Sequence, residues 1–198
     1  MSNVLSSLPK TIVSGFILLL IIVGLTNNVS ESVVLDYAYL SFFFRWLHVL
    51  FGIMWIGLLW YFNFVQIPSM PKIPDEQKPA VGKVIAPAAL FWFRWAALFT
   101  LLSGLILAYI NGYVHDALTL NYLDSKSFMI GIGMWLGIIM ALNVWGVIWP
   151  NQKKALGIVE ATPEQKLKSA RTAMLFSRTN TILSIPMLYC MVAAQNIY

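Results

Sequence analysis

Arg45-Trp46-Leu47-His48-Val49-Leu50-Phe51-Gly52-Ile53-Met54-Trp55-Ile56-Gly57 is the stretch that decides the fold. It lies well inside a long apolar helix and carries one of the two histidines of the chain. An ionisable side chain in hydrocarbon is costly, so such groups usually face a cavity, a partner or a cofactor. For an imidazole that cofactor is a metal, and in a helical membrane bundle the usual one is haem iron.

The composition around this stretch agrees. Of 198 residues, 59% are hydrophobic and 11% charged, too little charge to coat a soluble domain of this size. The expectation is a single membrane domain over residues 1–198. The first apolar run, 11–26, lacks a small-residue cleavage motif and is followed by Asn27-Asn28, so it reads as a retained anchor rather than a signal peptide. The single cysteine, Cys190, excludes an internal disulfide, a multi-cysteine metal site and covalent c-type haem attachment, and reads as a buried core thiol.

Five segments are candidates to cross roughly 30 Å of hydrocarbon: 11–26, 39–65, 86–110, 127–149 and 170–195. The expected fold is therefore an all-α integral membrane bundle of five transmembrane helices. Pro68, Pro71, Pro74 and Pro79 mark the second loop as irregular, and Pro150 is expected to end the fourth helix. Lys10, Lys72, Lys78, Lys83, Lys153, Lys154, Lys166, Lys168 and Arg171 fall in or beside the N-terminus, the second loop and the fourth loop. The first and third loops hold Glu31, Asp36, Asp116 and Asp124, with Lys126 as their cation. This alternation places the N-terminus in the cytoplasm and the C-terminus outside, most naturally in a bacterial inner membrane. The net charge of +5 thus reflects topology, and lipids rather than nucleic acid are the expected partners. The fourth helix carries Gly131, Gly133 and Gly137, and the last two form a small-xxx-small step that permits close helix approach.

Well within the expected spans the charged side chains are Arg45, Arg94 and Arg178, together with His48, and no Asp or Glu accompanies them. Buried arginines normally find carboxylates. Here they either snorkel to headgroups or meet a bound anion. Two polar layers are expected. The outer one holds Arg45 and His48, about one turn apart on one helix face. The inner one gathers Arg94, Asn143, Arg178 and Asn180 as a possible anion site. Haem suits the outer layer, because its iron takes an imidazole and its propionates take arginine. Trp55, about two turns past His48, could wall a porphyrin. His115 lies beyond the third helix and reads as a solvated loop residue unless that loop folds inward. Methionines such as Met54 are further possible ligands, though most methionines in an apolar chain are packing.

The run from Arg45 to Val49 with Gly52-Ile53 and Trp55-Ile56-Gly57 resembles the opening of the membrane region of bacterial cytochrome-c-type urate oxidases. Phe93-Arg94-Trp95 with Phe99-Thr100 and Ser103-Gly104 resembles the next helix of that family. Asn143-Val144 with Ile148, Pro150, Asn151 and Gln152, then Ser177 with Asn180 and Pro186, resemble its two later blocks. The resemblance implies a membrane oxidoreductase that passes electrons from urate to a c-type cytochrome domain following the helices. This chain ends at Tyr198, so an external cytochrome would be required. The family's last block carries two histidines where this sequence has Thr179 and Gln195, a departure that bears on urate chemistry more than on fold. A more distant likeness exists to haem-containing protoporphyrinogen oxidases and copper-resistance membrane proteins.

Three functions follow. The first is a b-haem redox protein with His48 as metal ligand, Arg45 or Arg94 pairing a propionate, and a c-type cytochrome as partner. The second is a non-catalytic accessory subunit of a larger respiratory or oxygenase complex, which the missing histidines favour. The third is a binder or transporter of a small anion at the inner layer. Oxidoreductase activity is possible under the first, and no catalytic residue is assigned.

Overall fold

The computed structural model describes residues 2–30 and 34–198, and every element in them is helical. Glu31, assigned above to the first loop, lies outside the described residues. The chain divides into two compact units, Met1–Phe42 and Phe43–Tyr198.

The first unit contains α1 (Ser2–Leu5), α2 (Leu8–Ser30) and the opening turns of α3 (Tyr37–Trp60). α2 is apolar on all sides, and large side chains such as Ile12, Phe16 and Leu20 are exposed. Its hydroxyls are satisfied within the helix: Thr11 donates to the Ser7 carbonyl and Ser14 to that of Lys10. A helix with no polar face and no inward-facing stripe suits hydrocarbon on every side.

In the second unit α3 runs on through a π-helical turn, Tyr61–Gln66, into α4 (Ile67–Ser69) and a 3₁₀ turn, Met70–Lys72. A short α5 (Lys78–Ala80) and a second π turn, Val81–Ile85, lead into α6 (Ala86–Ile110). After α7 (Val114–Leu118) comes α8 (Ser125–Leu142), then a third π turn, Asn143–Ile148, and α9 (Trp149–Ala155). α10 (Pro163–Asn196) completes the chain. Three caps set the ends: Asp124 accepts from the Ser127 N–H, Thr162 and Gln165 form a reciprocal capping box, and Gly112 at φ 75° closes α6.

Each π turn is followed by a proline at the second position of the next helix: Pro68, Pro87 and Pro150. Proline lacks an N–H, and its ring collides with the carbonyl four residues back. Widening the ladder to i→i+5 moves that carbonyl aside and lets the helix continue. This corrects two expectations. Pro150 does not end the fourth helix, which stays helical over Ser125–Ala155. The second continues past Pro68 to Lys72, so the irregular loop is short.

The count of spans is also corrected. Among the described residues, four helical stretches are long and apolar enough to cross a membrane: Leu8–Asn27, Tyr37–Lys72, Lys78–Ile110 and Ser125–Ala155. The expected fifth, 170–195, forms part of the 34-residue α10 and is too polar. The reason is visible in its pattern. Ser169, Ser177, Asn180 and Ser184 are buried with Ala173, Ala193 and Ala194, while Ile182, Ile185 and Val192 are exposed. Its inward stripe is small and polar, which lets other helices approach closely.

The core of this unit joins Trp55, Leu59 and Phe62 to Phe93 and Ala97 of α6, Met140 of α8, Val144 and Ile148 of the third π turn, and Met187 of α10. Phe62 meets Phe93 edge to face at 5.7 Å. A second cluster seats α7 on α8, where a Cβ at Gly131 would lie 2.2 Å from the Ala117 carbonyl oxygen. The Trp135 indole donates to the Leu118 carbonyl at 3.0 Å and locks the same contact. Cys190 is free and buried, against Gly133.

Candidate functional site

Three side-chain hydrogen bonds tie α3, with its π extension, to α10. Arg45 donates from Nη1 to Gln195 Oε1 at 3.0 Å, Trp60 to Ser184 Oγ at 3.0 Å, and Asn63 to Ser177 Oγ at 2.8 Å. Numbers rise along one helix as they fall along the other, so the two run antiparallel. Along this pairing lies a pocket of about 630 Å³, walled by α3 from Arg45 to Trp60, by α6 and α8, and by α10 from Met187 to Asn196. That volume falls within the roughly 300–1,000 Å³ of small-molecule and cofactor sites.

His48 stands in the pocket wall with Nδ1 2.9 Å from the Thr100 carbonyl oxygen. A carbonyl only accepts, so Nδ1 carries the proton. The neutral ring then keeps its lone pair on Nε2, which has no hydrogen-bond partner among the described residues. The ring lies against Gly104, where a Cβ would sit 2.7 Å from Cε1 and 2.9 Å from Nδ1. Thr100 and Gly104 are one turn apart on α6, so a single face supplies both the acceptor and the space. Thr100 in turn donates its hydroxyl to the Ala96 carbonyl at 2.7 Å, and its own carbonyl also accepts from the Ser103 hydroxyl at 3.2 Å.

The rest of the wall is mostly apolar. Buried Gly137 lines it, and a Cβ there would meet nothing within 4 Å. Trp55 also lines it, and its indole N–H is buried without a partner among the described residues. Met134, Met187 and Met191 add thioethers, whereas Met54 is exposed and not part of the wall. Polar groups gather at the Arg45 end: Gln195, Asn196 and Tyr113. Burial pushes the Tyr113 hydroxyl up from its ordinary value, and the nearby Arg45 charge partly offsets this. The α6–α7 loop does fold inward, as His115 would have required. It brings Tyr113 to the pocket wall, while α7 buries Ala117 against α8 and leaves His115 exposed.

The inner-layer residues occupy different surroundings. Asn143 donates to Asn180 Oδ1 at 3.0 Å, and Asn180, fully buried, donates to the Met140 carbonyl at 2.9 Å. Arg94 is half-buried, with its guanidinium carbon 4.0 Å from the Trp149 ring centroid and 5.2 Å from that of Phe91. It does not line the pocket. Arg178 is exposed. No hydrogen bond joins either guanidinium to the asparagine pair among the described residues. Reading the sequence had missed Asn63, whose amide bridges Leu59 and Ser177 while its Oδ1 stays buried and unpaired.

Fold and site thus define a class: an all-helical protein with four helices long and apolar enough to cross a membrane, and a histidine-bearing apolar pocket in its larger unit. Residues 113–197 match the family model described as urate oxidase N-terminal. The matched stretch takes in α7 to α10, with Tyr113, Met134, Gly137, Met191 and Gln195 of the pocket wall. Arg45, His48, Thr100 and Gly104 precede it. No curated protein and no solved structure matches the chain.

Proposed function

We propose that this protein is a multi-pass redox protein of a bacterial inner membrane, akin to the membrane part of urate oxidase. In this reading it holds a b-type haem at His48 and passes electrons to an external c-type cytochrome. One observation carries the reading: His48 gives its Nδ1–H to a backbone carbonyl and leaves Nε2 unpartnered in a roomy apolar pocket. Metal-ligating histidines use that arrangement, with the second nitrogen fixing tautomer and ring orientation.

The donor set suits haem better than a bare ion. No group of three or more His, Cys, Asp or Glu residues could hold a metal among the described residues. A porphyrin brings its own four nitrogens and asks the protein for one or two axial groups. His48 would hold the iron through Nε2, with the Thr100 carbonyl and the Gly104 gap holding its ring. Arg45, at the polar end of the pocket, would face a propionate. A bound b-haem supplies reversible one-electron transfer. An apolar wall around the iron would tune its potential through the local dielectric.

The membrane assignment rests on the four long apolar helices and on the alternation of lysine and arginine between loops. The kinship rests on the family match over residues 113–197. To test the reading, the full chain is expressed with ample haem supply and purified in mild detergent. Pyridine-haemochrome and reduced-minus-oxidised spectra should show stoichiometric b-haem, and His48→Ala should remove it while membrane insertion persists. A haem-free wild type, or His48→Ala that retains its haem, overturns the reading. The accessory-subunit alternative draws on Gln195, which stands in the wall where the resemblance puts a histidine. It predicts no cofactor and co-purification with a larger complex.

A further inference from the structure

Resting on the haem reading, we propose that Met191 is the second axial ligand, facing His48 across the pocket. The antiparallel ties set the register. Arg45 and Gln195 are joined at 3.0 Å. One turn along α3 from Arg45 is His48, and one turn back along α10 from Gln195 is Met191. Both steps run toward the Trp60–Ser184 tie, so His48 and Met191 stand at about the same level on the two paired helices, and both line the pocket.

Chemistry and packing narrow the choice further. At that level α10 offers Met191 and Val192 to the pocket, and only the methionine carries a donor atom. Met191 is half-buried, and its methyl carbon lies 3.4 Å from where a Cβ on Gly133 would be. The missing side chain of Gly133 therefore gives the thioether space. Three rotatable bonds let the sulfur swing toward the pocket without moving the helix. Met187 lies a further turn away and belongs to the packed core, and Met134 stands on α8. His/Met ligation raises the potential of a haem relative to bis-imidazole ligation, which suits donation to a c-type cytochrome.

The test uses full-length protein loaded with haem, in wild-type, Met191→Leu, Met191→His, Met134→Leu and Met187→Leu forms. Leucine conserves volume, so folding should survive. The oxidised wild type should show the weak long-wavelength band of an iron–thioether bond, and the reduced wild type should exclude carbon monoxide. Met191→Leu should keep stoichiometric haem, lose that band and gain carbon monoxide binding. Met191→His should again exclude carbon monoxide, without the band and at a lower midpoint potential. Met134→Leu and Met187→Leu should behave as wild type. A wild type without the band, an unaltered Met191→Leu, or loss of the band in one of the other two variants overturns the assignment and leaves haem at His48 standing. A wild type that takes up no haem, or a His48→Ala chain with the wild-type spectrum, removes both.

Discussion

The Cβ that Gly104 lacks would sit 2.7 Å from Cε1 of His48. The imidazole is thus held from two sides, by the Thr100 carbonyl at 2.9 Å and by the bare backbone of the next turn. Gly104→Ala should push the ring off its acceptor and lower haem occupancy. Overpacking of this kind costs about 1–3 kcal/mol. Gly52→Ala is the control on the facing helix, since its added carbon would meet Thr100 Cγ2 at an ordinary 3.9 Å. Occupancy by absorbance and melting in detergent would check both. Equal occupancy in the two variants would contradict the steric argument.

The glycines of α8 should respond in opposite directions. Gly131→Ala places a carbon 2.2 Å from the Ala117 carbonyl, so α7 must lift away. Gly133→Ala meets Cys190 Cβ at 3.0 Å and the Met187 carbonyl at 3.5 Å, wedging α8 from α10. At Gly137 the added methyl meets nothing within 4 Å, so Gly137→Ala should stabilise the helix by roughly 0.5–1 kcal/mol. Gly137→Phe should fill the pocket and abolish ligand uptake while the fold persists. Thermal melting and haem titration of the four variants would decide.

The same three glycines show how far the sequence could be read. The small-xxx-small step of Gly133 and Gly137 made close helix approach legible at Gly133, whereas the tighter approach at Gly131 had no such spacing to announce it. Gly137, the other end of that step, lines the pocket instead, and a Cβ there would meet nothing within 4 Å. Helix positions were legible too: 86–110 coincides with α6. The ends near Pro68 and Pro150 were not, because a proline stops an α ladder and whether a π turn absorbs it depends on the helices packed around it. At the site, His48 and Arg45 stood out as ionisable groups in an apolar run. The Thr100 carbonyl and Tyr113 did not, since one is a backbone atom and the other enters from a folded loop. The fifth span failed on the polar residues that α10 turns inward.

Asn180 is fully buried and bonds both Asn143 and the Met140 carbonyl. Asn180→Ala should cost about 1–3 kcal/mol, because it removes the acceptor of the part-buried Asn143 amide and one of the two donors to the Met140 carbonyl, which keeps the Asn143 backbone N–H. Asn143→Ala should cost less, leaving Asn180 one partner. The double variant should lose less than the two single losses combined. Unfolding in detergent measures all three, and strict additivity would show that the pair does not act as a unit.

Outside the spans, hydrogen bonds from Ser127 hold the Asp124 carboxyl below the ordinary aspartate range. A depressed folded-state value means that the cap contributes above the unfolded pKa and fades as pH falls through the folded one. Acid unfolding of the wild type below about pH 4 should therefore carry a component that Asp124→Asn lacks, since the amide caps α8 at every pH. Identical acid limbs would assign the loss to other groups.

Arg45 makes no ion pair among the described residues; its partner is the neutral amide of Gln195. A cation at the polar end of an apolar pocket is free to receive an anionic ligand end, and in the haem reading that end is a propionate. Haem and its dimethyl ester separate this charge from everything else, since they share the ring and the iron. The wild type should prefer haem, while Arg45→Gln should bind the two alike. The side chain is exposed, so solvent screens the pair and the preference should be about 0.2–1 kcal/mol, a few-fold at most in Kd. Raising ionic strength should shrink it further, because exposed pairs weaken with salt. A preference that survives Arg45→Gln unchanged would mean that another group meets the propionate, and Tyr113, at the same end of the pocket, would be the next to change.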